Sequence, residues 1–179
     1  MYRVAAPTRS SLELLILALL KQGLSTTYDL QVQAGVSLGA SVPALKRLAA
    51  AKLVTRKEVG RRLEFSITRE GEKALASWTA PQRPPTDMDD LLRAAYLAWI
   101  TGDGKSQAAA LLRQGIRARN RWAEELQDQL AGGELPLPGK PGPESYRWLR
   151  TVVEAERAAA DVQALEALAK ALEWKKGRR

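Results

Sequence analysis

The stretch SVPALKRLAAAKLVTRKEVGRRLEFSITREGEKAL, residues 41–75, decides how this chain is read. Leu45, Leu48 and Leu53 are spaced to face a core, which turns Lys46 and Arg47 toward the other side of a helix. Residues 53–59 and 62–68 then alternate well enough to be strands, with Gly60-Arg61 at the turn between them. Val54, Arg56 and Glu58 against Leu63, Phe65 and Ile67 suggest a ribbon with one apolar face. Thr68 caps a following helix that carries Gly71 in its first turn and runs to about residue 78. The order is helix, β-ribbon, helix, with basic residues on the first helix and at the ribbon tip. A helix fits the major groove of DNA, and a ribbon with a cationic tip can reach the flanking phosphates.

Upstream, Ser10 or Ser11 can cap a helix that reaches about residue 21, where Gln22-Gly23 stops it. Leu12, Leu15, Ile16 and Leu19 share one face, but Leu14, Leu17 and Leu20 make it apolar nearly all round. Such a helix is a core element or lies partly in a subunit contact, which makes Leu15 and Leu19 candidate dimer residues. Ser25, Thr26 and Thr27 supply caps for a second helix over 28–34, ended by Gly35. A turn over 36–39 leads to a third helix over about 40–52, with Pro43 in its first turn, where a missing N–H costs little. Read as a helix-turn-helix, the second helix supports and the third enters the groove. Ser41, Val42 and Ala44 then stand where base edges are met, and Lys46 lies one turn further on. Lys46 and Arg47 can meet phosphates or a guanine edge, and Arg56, Lys57, Arg61 and Arg62 supply the wing. Such a reading end predicts phosphate and shape contacts as a large share of affinity. The alternative for the wing is a solvated basic edge that blocks sheet-to-sheet aggregation.

Downstream, APQRPPT (residues 80–86) breaks any helix and reads as a linker between domains 1–79 and 87–179. Everything beyond it is helical by pattern. A helix over 87–100 carries Met88, Leu91, Leu92, Ala95 and Trp99 on one face, and one over 106–130 carries Leu111, Gly115, Trp122, Leu126 and Leu130. After a loop rich in Gly and Pro over 132–143, the last helix runs from 144 to about 175. In it Trp148, Thr151, Ala155, Ala158, Val162, Leu165, Ala169 and Leu172 follow alternating steps of three and four, an a/d seam. Pairing with a second chain covers such a seam economically, giving a homodimer held by Trp148, Ala155, Val162, Leu165 and Leu172; a closed monomeric bundle is the alternative. The expected fold is mainly α with a small β-wing: a winged helix-turn-helix N-terminal domain and an antiparallel helical C-terminal domain.

The chain of 179 residues has net charge +8 and a pI near 10.0, a positive field that attracts phosphate polymers or anionic membranes. It contains no cysteine, so disulfides and thiolate zinc sites are excluded. It contains no histidine, the commonest metal ligand and general base. Asp87, Asp89 and Asp90 form the densest carboxylate group, but they open a helix, where negative charge is favoured anyway. Gly102-Asp-Gly-Lys-Ser106 lacks the full phosphate-loop spacing and the preceding strand. No enzyme and no cofactor are expected. The apolar run 12–20 is interrupted by Glu13 and is short of the ~20 residues that span a bilayer, so the expectation is a cytoplasmic protein with no membrane partner.

The run from Leu12 to Leu75 resembles the PadR family of winged-helix transcriptional regulators. The matching pieces are LELLILALL (12–20), TYDLQ (27–31), SVPALKRLAAAKLV (41–54) and GRRLEFSITREGEKAL (60–75). In that family Pro-Ala-Leu-(Arg/Lys)-Arg-Leu marks the recognition helix, Tyr-(Glu/Asp)-(Ile/Leu) the helix before it, and Gly-Arg-Arg…Thr-x-x-Gly the wing and its exit. The chain departs from the pattern at Val42, where members carry an aromatic residue, and at Thr26-Thr27-Tyr28, where they have His-Gly-Tyr. It departs again at Lys52, where they have Gly. The resemblance implies double-stranded DNA as partner, with Tyr28 joining the contact residues, and a C-terminal helical domain that builds an intertwined dimer. It further implies a repressor, in some members released by a small aromatic or cationic compound. Trp99, Trp122 and Trp148 are the candidates to line such a planar-ligand pocket, or else core anchors. A winged helix used for protein contact, with DNA binding weakened, is the second functional reading.

Overall fold

The first helix begins at a hydroxyl. Ser10 accepts the backbone N–H of Glu13 at 3.2 Å and caps α1 (Ser11–Lys21), which ends at Gln22 before Gly23 with φ +101°. The computed structural model describes residues 9–102, 104–131 and 142–173. Of these, the ones within Met1–Ala80 and Tyr96–Gly104 make one compact unit, and the ones within Pro81–Ala95 and Lys105–Arg179 make the other.

In the first unit α2 (Thr27–Ala34) is closed at both ends. Thr26 and Asp29 form a reciprocal capping box, and Gly35 (φ +68°) takes the left-handed position at its end. Helix α3 (Leu38–Ala50) starts two residues earlier than its pattern suggests, because the Ser37 hydroxyl accepts the N–H of Ala40 at 3.3 Å. Pro43 therefore lies inside the helix, beyond the first turn, and cannot donate to the carbonyl of Gly39. The helix ends at Ala50, and Lys52 beyond its cap has a φ of +58°, the left-handed value that glycine adopts at no steric cost. Leu53 N–H to Leu48 O and Lys52 N–H to Ala49 O, both 2.9 Å, complete the closing motif.

Strands β1 (Val54–Val59) and β2 (Arg62–Ile67) pair antiparallel with Val54 opposite Ile67, Arg56 opposite Phe65 and Glu58 opposite Leu63. That is the face anticipated from the alternation. Gly60 (φ +61°) is the first turn residue, the sign a type II′ hairpin needs. Phe65 N–H donates to Ser25 O at 2.7 Å and ties the ribbon to the chain before α2. Helix α4 (Arg69–Ala76) follows, with Thr68 accepting from Gly71 N–H at 3.1 Å while its hydroxyl donates to Lys52 O at 2.8 Å. A Cβ on Gly71 would collide with the Leu53 carbonyl and lie 2.8 Å from Ile67 Cγ1, so the Thr-x-x-Gly exit is a packing requirement. Ile16, Leu17, Leu30, Leu45 and Leu48 are fully buried around Leu53, Val54 and Phe65. Each such side chain stabilises the fold by about 1.5–3 kcal/mol.

Helix α5 (Met88–Thr101) divides its burial. Leu91 and Ala95 pack in the second unit, while Leu97 packs in the first with Leu14, Ala18 and Leu75. The first unit therefore includes residues 96–104, beyond the boundary set by the proline-rich stretch. In the second unit α6 (Lys105–Ala131) and α7 (Pro143–Glu173) run antiparallel, as the ion pairs Arg119–Asp161 (3.2 Å) and Arg113–Glu173 show by their order. Arg119 is buried and also donates to the Thr86 carbonyl at 2.9 Å. Gly115 lets α6 approach Leu91, since an added Cβ would strike that side chain.

The expected seam is present, but its partner is not the expected one. Thr151, Ala155, Ala158, Val162, Leu165 and Ala169 are buried within the chain itself, the last two in a cluster with Leu91, Ala108 and Leu112. Leu172 packs on that cluster, and Trp148 is half-buried. Ala155, Val162, Leu165 and Leu172 therefore do not wait for a second chain: antiparallel α6 already supplies apolar cover. Leu19 is likewise buried in the first unit's core, and Leu15 is half-buried against it. The loop 132–141 and Trp174 lie outside the described residues. No described helix is long and apolar enough to cross a membrane.

Candidate nucleic-acid interface

Residue by residue, α3 separates its faces more sharply than its pattern did. Ala44, Leu45 and Leu48 point into the core, and so does Ser41. Leu38, Gly39, Val42, Pro43 and Lys46 stay exposed. Ser41 and Ala44, expected at base edges, are each 0% exposed and reach none; helical spacing puts them on the face of Leu45 and Leu48, which packs into the core. The Ser41 hydroxyl has no hydrogen-bond partner among the described residues. Val42 and Lys46 lie four residues apart on the solvent face, one row with Leu38.

Arg47 also differs from its expected role. Its Nε donates to Glu13 Oε1 at 2.6 Å, and the Glu13 side chain is only 8% exposed. A carboxylate that deep needs a partner, so Arg47 serves α1 before any phosphate. Glu13, which interrupts the leucine run of α1, was the sequence signal for this pair; without the fold its partner could not be assigned.

The wing is different. Arg56, Lys57, Arg61 and Arg62 are exposed, and none has an acidic partner within ion-pair distance among the described residues. The register puts Lys57 and Arg62 on the face opposite Phe65, with Arg61 in the turn. These cations and Lys46 belong to one unit, and β1 follows α3 directly. Tyr28 is 68% exposed on α2, followed one turn later by exposed Val32. Asp29, between them, keeps its carboxyl below the ordinary 3.8 through hydrogen bonding from the Thr26 side chain, then from the Ser25 and Thr26 N–H groups. It is a structural anion in the capping box.

Trp99 lies in the stretch of α5 that belongs to the first unit, and Trp122 and Trp148 lie in the second. A groove of about 340 Å³ on the second unit is lined by Arg113, Ile116, Arg117, Glu166, Ala169, Lys170 and Glu173, with no tryptophan.

No protein-family model matches the chain, and no curated protein sequence does. Among solved structures the chain is similar to PadR of Bacillus subtilis in complex with operator DNA, at 21% identity over 90% of this chain and 99% of that one, with TM-score 0.39. It is similar to the same regulator in complex with p-coumaric acid, at 20% identity over 92% and 99%, with TM-score 0.40. A PadR-like transcriptional regulator from Bacillus cereus matches at 19% identity over 90% and 98%, with TM-score 0.37. The family named by these structures is the one its motifs resemble.

Proposed function

We propose that this chain is a sequence-specific DNA-binding transcriptional regulator that works as a homodimer, and a repressor by the resemblance of its motifs. The observation that carries the reading is the wing: Arg56, Lys57, Arg61 and Arg62 stand exposed without acidic partners among the described residues, beside a helix whose exposed face carries Lys46. Phosphates are the complement of such a group of cations, and the net charge of +8 adds a long-range field of the same sign. The homodimer is supported by a second face of α7. With the seam closed by the chain's own helices, Tyr146, Leu149, Val153 and Leu168 remain exposed. Two copies at a fixed spacing add selectivity that one plain reading helix does not supply.

The test is a mobility shift of the full chain on the DNA upstream of its own gene, across a salt series. A specific shift is expected, and neutralising Arg61 and Arg62 together should lower the salt slope by about 1.8, or ~0.9 for each lost phosphate contact. A shift that unrelated DNA competes away, or one indifferent to both arginines, refutes the reading. The exposed apolar side chains Tyr28, Val32, Leu38 and Val42 favour one other reading, a winged helix used for protein contact. In that case neither arginine affects function and no specific shift is seen.

A further inference from the structure

The opening of α3 presents hydrocarbon to the solvent. Leu38 and Val42 are exposed, with Gly39 and Pro43 beside them. Ser41 is turned into the core, so between Leu38 and Pro43 no exposed side chain offers a donor or an acceptor. Most base edges in the major groove are donors and acceptors, which an isopropyl or isobutyl group would desolvate without replacing. The hydrocarbon group displayed there is the C5-methyl of thymine. The row Leu38–Val42 continues into Lys46, and the unpartnered cations of the wing stand in the same unit. A polyanion complements those charges, and an apolar protein surface does not.

Resting on the DNA-binding reading above, we propose that Leu38 and Val42 are specificity-determining residues that read thymine by its methyl group. The half-site is then defined by thymines under this row, and guanine recognition is left to Lys46 further along the helix. The departure at Val42 becomes a change in what is read: an aliphatic group in place of an aromatic one.

The experiment selects duplexes from a random-sequence pool with the full chain, then replaces each thymine of the selected half-site singly by deoxyuridine, which removes only the methyl. Affinity should fall about fourfold at one or two positions, the effect of one buried methyl-sized group. Val42→Ala should bind the thymine and uracil forms alike at one of those positions, and Leu38→Ala at the other. Equal affinity of the unaltered chain for thymine and uracil duplexes, or enrichment of half-sites without thymine, overturns the proposal while the DNA-binding reading stands. So does discrimination that survives both substitutions. Failure to bind any duplex at low salt overturns both readings, and leaves the apolar row to a protein partner.

Discussion

Lys46 and Arg47 are neighbours in sequence with opposite loyalties. Arg47 holds a buried carboxylate, whereas Lys46 is exposed and has no ion pair among the described residues. Arg47→Ala strands Glu13 and should cost about 1–3 kcal/mol of stability in urea titration, with little change in the salt slope of DNA binding. Lys46→Ala should leave the urea midpoint in place and lower that slope by about 0.9. The reverse pattern would return Arg47 to the interface. Gly71 is a second residue whose role is set by close contact. Gly71→Ala forces a methyl against the Leu53 carbonyl and should destabilise the first unit by about 2–3 kcal/mol or prevent it from folding. An unchanged melting temperature would mean that the approach of α4 to Leu53 is looser than the geometry implies.

Among the elements, α2 depends most on its ends. It is short, and Leu30 is its one side chain counted as fully buried, so the Thr26–Asp29 box and Gly35 carry much of its definition. Folding lowers the pKa of Asp29 below 3.8, so the native state favours its carboxylate. The stabilisation is complete above pH 3.8 and is lost as pH falls through the lower, folded value. Compared with Asp29→Asn, the unaltered chain should therefore lose stability faster as pH falls below 3.8. Parallel acid limbs in urea titrations of the two would show that the box is not formed in solution. The wing is the contrasting element, since its tip has little apolar cover: Val59, Gly60, Arg61 and Arg62 are all exposed. Its shape comes from the turn and from the Phe65–Ser25 bond rather than from burial.

For the whole molecule, the question is which face is left for a second copy. Substituting Leu149 and Val153 by Glu should convert a sedimenting dimer to monomer with unchanged helix content, because both side chains are exposed. Val162→Glu should instead unfold the second unit, because that side chain is buried against its own chain. A dimer that persists in the Leu149/Val153 variant would move the interface elsewhere. Loss of the dimer should also weaken DNA binding, since half-site spacing then no longer contributes. The split burial of α5 matters at this scale too: Leu97 completes a cluster with Leu14, Ala18 and Leu75, so residues 1–79 alone lack part of their own unit's core.

Much of this was legible in the chain. Helix ends followed from Ser10, Thr26, Gly35 and Thr68, the ribbon register from Val54, Phe65 and Ile67, and the 3–4 seam of α7 from its own spacing. These are local matters of capping, turn geometry and period, and each acts within a few residues. The positions of the wing's basic residues were legible for the same reason. The sequence by itself could not say what covers a face. Spacing made the α7 seam apolar, but only the tertiary structure decided that α6 of the same chain fills it. Ser41 and Ala44 share the face of Leu45 and Leu48 by helical spacing, and only the packing of α3 decided that this face is buried as far as Ser41. Glu13 was a visible interruption, yet its partner stands 34 residues away. Burial and pairing across such distances are fixed by packing, and packing is settled only when all the elements are in place.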